Sequence, residues 1–333
     1  MKTKILYVER QQSDAVSIEK VFRQIAKSLS KKNYAIKFQN LKYSNNTLGT
    51  IKNLLFYRKL KADVYHITGH IHYIALLLPK KNTILTVHDA GILHIRSGLR
   101  RFILKKLLFD FPVKKLKYIT AVSEATKREI VYYTKCDESK IRVIENPLQE
   151  HFYSSEKKKF DNECPVILQI GTTVNKNLKN LFKALEGIKC RVIIVGKLPN
   201  ELENLLNRKK ITFETKSNLD NEQIKKAYAG ADIVTFCSTF EGFGLPIIEA
   251  QAMLTPVITS NISPMIEVAG GAAALVDPTD SESIRKSILQ IINDKNYREG
   301  LVKKGIENIK KYESEKIASS YADIYQEITS IKN

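Results

Sequence analysis

No stretch of the 333-residue chain approaches the ~20 consecutive apolar residues that cross a bilayer. The four cysteines (Cys136, Cys164, Cys190 and Cys237) are scattered and form no Cys-x-x-Cys pair. That argues against a zinc site or a disulfide framework and for a reducing, cytoplasmic setting. Internal repeats and low-complexity tracts are absent. Between Met-Lys-Thr-Lys and Glu9 stand only Ile5 to Val8, too short an apolar run for a signal-peptide core; a first strand is expected there. With 43% hydrophobic and 27% charged residues the composition is globular, which excludes wholly disordered and fibrous classes.

Acid is scarce in one half only. Residues 1–155 hold 29 basic and 12 acidic residues, whereas 156–333 hold 25 and 23, so nearly all of the net +19 lies in the first half. Such asymmetry calls for an anionic partner there: an acidic membrane surface, a phosphorylated acceptor or nucleic acid.

The length suggests two domains at ~150 residues each, and the apolar pattern agrees. Strands are expected at Lys4–Val8, Tyr34–Phe38, Asp63–Thr68, Thr83–Val87, Tyr118–Val122 and Ile141–Ile144. A second set follows at Pro165–Ile170, Arg191–Val195, Asp232–Cys237, Pro256–Thr259 and Ala273–Val276, with three helices after Asp280. Near-continuous apolar strands alternating with helices, such as Asp14–Lys31, imply parallel sheets covered on both faces. The fold class is therefore α/β, with two Rossmann-like domains, 1–150 and 151–333. The Lys-rich segment Gln149–Glu163 is the expected linker, and the last helix is a candidate to return to the first domain. Ser123 is a candidate helix cap, while Thr126 with Glu129 and Asp220 with Gln223 have capping-box spacing.

The most informative string is Ser238-Thr-Phe-Glu-Gly-Phe-Gly-Leu-Pro-Ile-Ile-Glu-Ala250, which follows a buried strand and opens a helix. Pro246 suits a first helical turn. Gly242 and Gly244 allow close backbone approach to a ligand. Free N–H groups at such a helix start hold a diphosphate well. Glu241 and Glu249 are spaced to grip hydroxyls on two parts of one ligand.

This string resembles the E-x7-E signature of the retaining family 4 glycosyltransferases, which have the GT-B fold of two Rossmann-like domains facing each other across a cleft. Pro256-Val-Ile-Thr-Ser260, Glu267-Val268 and Leu275-Val-Asp-Pro278 continue the family pattern in register. Gly171-Thr-Thr-Val-Asn-Lys-Asn177 resembles the turn that opens the family's second domain. Thr86-Val-His-Asp89, Ala121-Val-Ser-Glu-Ala125 and Ile141-Arg-Val-Ile-Glu-Asn-Pro147 match in the first, so the likeness runs from about Asp63 to Asp280.

The resemblance implies sugar transfer from a nucleotide-sugar donor to an acceptor hydroxyl, with retained anomeric configuration and no metal or other cofactor. It implies that Glu249 binds the donor ribose and Glu241 lies near the donor sugar. Gly242, Phe243, Gly244 and Leu245 would sit beside sugar and diphosphate, and Gly171 and Thr172 are further donor-binding candidates. Lys176 would pair with the diphosphate, helped by Lys197. His88 would lie beside donor sugar or acceptor, and Asp89 is a weaker candidate. His66, His70 and His72 look like a metal cluster, but they lack a carboxylate partner at ligand spacing and are expected to be structural. Some positions depart from the family: Glu9–Ala15 lacks a glycine pair, no arginine accompanies Lys176, Leu254 replaces a helix-ending glycine, and Gly271 replaces an aspartate.

Arg96–Lys117 holds eight basic residues and one acid, Asp110. A helical projection puts Ile103, Leu104, Leu107, Leu108 and Phe111 on one face, expected to pack on the core. Arg101, Phe102, Lys105, Lys106 and Phe109 gather opposite, as on an interfacial membrane helix. The expectation is a cytoplasmic, peripherally membrane-associated transferase acting on a lipid-linked or cell-surface glycan intermediate, and not on nucleic acid. Two alternatives stay open: a GT-B-like nucleotide-sugar epimerase, and a non-catalytic basic protein that binds membrane or nucleic acid.

Overall fold

The computed structural model describes residues 2–11, 17–44, 46–154 and 159–330. The chain divides into two compact units, Met1–Pro147 with Tyr312–Asn333, and Leu148–Lys311. The division falls just before residue 150, and the last helix belongs to the first unit.

The first unit is one parallel sheet of β1 (Thr3–Glu9), β2 (Tyr34–Asn40), β3 (Val64–Ile67), β4 (Thr83–Val87), β5 (Tyr118–Ala121) and β6 (Ile141–Val143). Their order is β2-β1-β3-β4-β5-β6, so the chain reverses direction across the sheet between β1 and β3. Every residue of β3, β4 and β5 is buried, as strands covered on both faces must be. The terminal helix Ser314–Ser330 packs against the helix Ser17–Ser30 and buries Tyr321, Ile324, Tyr325 and Ile328. A buried polar chain fixes it there. The Tyr325 hydroxyl lies 3.0 Å from that of Tyr7 and 2.8 Å from His66 Nδ1, and His66 Nε2 lies 2.7 Å from Thr86 Oγ1. Each of these polar atoms is satisfied, which lets them sit in a dry core.

The second unit is a second parallel sheet of β7 (Val166–Ile170), β8 (Arg191–Val195), β9 (Thr212–Lys216), β10 (Ile233–Phe236), β11 (Val257–Ser260) and β12 (Ala274–Val276). The order is β12-β11-β10-β7-β8-β9, with its reversal between β7 and β10. β9 escapes the apolar pattern. Its sequence Thr-Phe-Glu-Thr-Lys has no buried residue, whereas the other edge strands, β2, β6 and β12, each bury at least one.

Four expectations are corrected. First, Gln149–Glu163 is no free linker in its described part: Phe152 is buried edge-on against Tyr228, and the Ser154 N–H donates to Ala252 O. Residues 155–158 lie outside the described residues, as does most of the Glu9–Ala15 turn. Second, Thr126 and Glu129 form no capping box. Ser123 is the cap, accepting from the Thr126 N–H, while Thr126 Oγ1 donates to His88 O and Glu129 meets His94. Asp220 and Gln223 do form one.

The third and fourth corrections concern the basic segment. It is not one continuous α-helix: Gly98–Lys105 runs into a π turn at Lys106–Asp110 and then a helix at Phe111–Lys115. The wider turn shifts the helical phase and brings Phe109 inward, so this ring is buried instead of exposed. The supposed core face is in large part the outer one. Gly98–Lys105 buries no residue, and Ile103, Leu107 and Phe111 of that face are 47%, 37% and 48% exposed, whereas Leu108 is buried and Leu104 packs on the core; Leu99 and, as expected, Phe102 are exposed too, at 74% and 57%. Leu48, Ile51 and Leu55 make a second exposed apolar stripe on the helix Thr47–Arg58. No described helix is long and apolar enough to cross a membrane.

Candidate active site

In open parallel sheets, ligands bind beyond the carboxyl ends of the strands where the strand order reverses. In the second unit that point is the rim above β7 and β10, and the loops leaving these two strands are tied together there. Thr239 N–H donates to Asn175 O at 2.8 Å, and Asn177 Nδ2 donates to Cys237 O and Pro278 O. Gly171 leaves β7 at φ 84°, and a Cβ there would stand 2.9 Å from Lys176 Cε. The absent side chain is what lets the lysine stem fold back over the turn. Lys176 Nζ then lies 2.6 Å from Glu241 Oε1, with the Phe236 ring centroid 4.4 Å from the ammonium. Asn175 braces the same carboxylate: its Nδ2 donates to Glu241 Oε1 at 3.0 Å and to Phe240 O at 2.9 Å.

From β10 the chain passes through Glu241, Gly242 and the buried Phe243 into the helix Leu245–Ala252, with Pro246 in its first turn. Gly244 holds the entry at φ 119°, where a Cβ would press on Ile247 Cδ1 at 3.0 Å. Ile247, Ile248, Ala250 and Gln251 bury that helix, and Glu249 points one carboxylate oxygen at the Tyr228 hydroxyl, 2.6 Å away. Thr172 Oγ1 donates to Lys197 O at 2.8 Å and fills the space beside Gly196 where a Cβ would be. The structure thus brings Gly171, Thr172, Lys176, Glu241–Leu245 and Glu249 to one rim. Lys197 joins it through its backbone.

The corresponding rim of the first unit carries His88 and Asp89 after β4, and His70 after β3. His88 is buried, and its Nε2–H donates to Thr68 O at 2.9 Å. That bond fixes the tautomer and leaves Nδ1 as an acceptor. Burial, aided by the neighbouring His70, pulls its pKa down to about 4, so the ring is neutral at physiological pH. Burial pushes the Asp89 carboxyl up, but His70 and the Gly91 N–H outweigh it and hold it at about 2. His70 Nε2 lies 3.2 Å from Asp89 Oδ2, so this histidine does have a carboxylate neighbour. His66 belongs to the core chain described above, and His72 Nδ1 donates to Leu108 O at 2.7 Å. Among the described residues no three His, Cys, Asp or Glu side chains converge as metal ligands.

Two family descriptions tile this chain: Glycosyltransferase Family 4 matches residues 23–151, and Glycosyl transferases group 1 matches residues 153–308. The chain belongs to the family 4, group 1 glycosyltransferases. It is 28% identical over 230 residues to the O-antigen chain mannosyltransferase RfbU of Salmonella typhimurium, covering 66% of this chain and 63% of that protein. It is also 28% identical over 240 residues to CapM, a capsular polysaccharide biosynthesis glycosyltransferase of Staphylococcus aureus, covering 65% and 61%. The match thus spans about three fifths of the length of these curated relatives. Among solved structures, Anabaena Alr3699/HepE in complex with UDP and glucose shares the fold, with a TM-score of 0.80 at 15% identity over 98% of this chain and 100% of that one. The fold is GT-B.

Against this family 4 background, two side chains at the rim were not legible beforehand. Tyr228 reads as one more apolar position of the helix Asn221–Ala229, and nothing local signals that its hydroxyl reaches Glu249. Asn175 stands near the place of the missing arginine, but its hold on Glu241 spans 66 residues of chain. Leu254 occupies a left-handed conformation, φ 57°, where this family commonly has glycine; the chain keeps the turn geometry without the residue best suited to it.

Proposed function

We propose that this glycosyltransferase moves a hexosyl unit from a nucleotide-sugar to an acceptor hydroxyl, with retention at the anomeric carbon and without a metal ion. The observation that carries the reading is the Lys176–Glu241 pair beside the start of the helix Leu245–Ala252, at the strand-order reversal of the second sheet. Cleavage of the bond between the anomeric carbon and the diphosphate oxygen leaves negative charge on the leaving diphosphate. Lys176 and the positive end of that helix's dipole supply fixed positive potential for it, the role a divalent cation has in other transferases. Glu249 binds the ribose hydroxyls. Glu241, held by Lys176 and Asn175, faces the donor sugar and favours the positive character that develops on its ring. Neutral His88 accepts a hydrogen bond from a sugar hydroxyl through Nδ1. The acceptor hydroxyl attacks the anomeric carbon from the face the diphosphate leaves, and its proton passes to the departing diphosphate oxygen.

The acceptor in this reading is a lipid-linked or cell-surface glycan intermediate, met by a cytoplasmic enzyme docked peripherally on an anionic membrane; nucleic acid is no partner. Exposed Leu99, Phe102 and Ile103, interleaved with Arg100, Arg101, Lys105 and Lys106, support the docking. RfbU and CapM act in O-antigen and capsule synthesis by name, which supports the class of acceptor. The test is direct. Purified enzyme is first screened by thermal shift against GDP-, UDP-, dTDP- and ADP-sugars in chelator. The stabilising donor is then incubated with lipid-linked acceptors, and the product's anomeric proton coupling is read by NMR. Retained configuration in chelator is expected. An inverted product, a requirement for metal, or epimerised donor without transfer overturns the corresponding part of the proposal.

A further inference from the structure

The Tyr228 side chain is completely buried, and its hydroxyl donates to Glu249 Oε2 at 2.6 Å. An O–H to carboxylate bond of that length is charge-assisted and among the stronger hydrogen bonds in proteins. The ring is fixed as firmly as the hydroxyl. Phe152 packs edge-on against it at 5.3 Å, and the backbone carbonyl of Tyr228 accepts from the Ala231 N–H. Burial and the adjoining Glu249 charge hold the phenol well above its ordinary pKa, so it is a permanent donor. Glu249 itself stands on a helix whose other faces are buried, so its backbone is fixed. The Tyr228 bond fixes one carboxylate oxygen.

We infer that Tyr228 is a positioning residue for the nucleotide: by clamping Glu249 it sets how strongly the site distinguishes a ribonucleotide from its 2′-deoxy counterpart. This rests on the reading of Glu249 as the ribose ligand. A carboxylate accepts hydrogen bonds from vicinal hydroxyls well only in a narrow range of orientations, and loss of the Tyr228 bond widens the range it samples. Loss of the clamp therefore weakens the hydroxyl-bearing ligand and leaves the deoxy ligand almost untouched.

The experiment is calorimetric titration of the full chain with UDP, 2′-deoxy-UDP, GDP and 2′-deoxy-GDP. Wild type, Tyr228→Phe and Glu249→Gln are compared. The ratio of deoxy to ribo Kd is the readout, and it does not depend on the folded fraction of a variant. We expect a ratio of about tenfold or more in the wild type for the nucleotide that binds, in line with one to two lost hydrogen bonds. Tyr228→Phe should reduce it severalfold through weaker ribonucleotide binding, and Glu249→Gln should bring it near one. A ratio unchanged by Tyr228→Phe but lost in Glu249→Gln overturns the positioning role while the ribose reading stands. A ratio unchanged in Glu249→Gln, or no binding of any of the four by the wild type, overturns both. Equal weakening of ribo and deoxy ligands by Tyr228→Phe marks a purely structural tyrosine and also overturns the inference.

Discussion

Lys176 and Glu241, 65 residues apart in sequence, meet at 2.6 Å with the lysine ammonium above the Phe236 ring. Both side chains are about 15% exposed, so the pair is desolvated enough to matter and open enough for a ligand to reach it. Lys176→Ala removes the main side-chain cation proposed for the leaving diphosphate, and a loss of ~10²–10³-fold in kcat is expected. Glu249→Ala should act mainly on donor KM. Steady-state kinetics of the two variants separates these outcomes, and equal, small effects would contradict the site assignment.

Stability should fall on mild acidification. Burial holds His66 and His72 down to about 3 and His88 down to about 4, against an ordinary value near 6.5. Below pH 6.5 the unfolded chain takes up protons at these rings while the folded chain does not. The stability they contribute is complete above pH 6.5 and drains as pH falls toward 4 and then 3. The limiting slope is about 4 kcal/mol per pH unit for three such groups. Urea midpoints at pH 7.5, 6 and 5 measure it; a flat profile would show that these rings are hydrated.

Tyr325→Phe should destabilise the protein by about 2 kcal/mol. The change keeps the ring but orphans the Tyr7 hydroxyl and His66 Nδ1 inside the first unit. Equilibrium denaturation gives the number. A loss below a few tenths of a kcal/mol would mean that this buried polar chain adds nothing to the hold on the terminal helix.

Changing Leu99, Phe102 and Ile103 together to serine should leave thermal stability nearly unaltered, since exposed substitutions usually cost within ~0.5 kcal/mol each. The same variant should lose affinity for vesicles containing anionic lipid. Wild-type binding should weaken with salt, each nearby cation contributing ~1 kcal/mol at low screening. Co-sedimentation reads both, and wild-type binding equal on neutral and anionic vesicles would remove the electrostatic argument.

Legibility followed burial. β4 and β8 were readable to the residue, because Thr83–Val87 is a wholly buried run of apolar and β-branched residues and Arg191 is followed by the apolar run Val192–Val195. β9 was not, because it buries no residue and Phe213 is the one apolar side chain in its sequence. The rim of the second unit was readable for a different reason. Gly171, Gly244 and Pro246 have backbone roles that each restrict the residue type, so the motif survives as a string. The basic helix misled because amphipathic periodicity shows that an apolar stripe exists and does not show which way it faces.

The local sequence by itself determined the α/β class, every strand of the two sheets but β9, the family and the turn chemistry that carries Lys176, Glu241 and Glu249. These depend on periodicity and on glycine and proline placement, which act over a few residues. The tertiary structure alone decided which side chains meet. Tyr228 clamps Glu249, Asn175 braces Glu241, Tyr325 closes on His66, and Phe109 turns inward while Phe102 stays out. Each of these depends on strand order and on the phase of a helix against its neighbours, and no pattern confined to one segment records a distance between two.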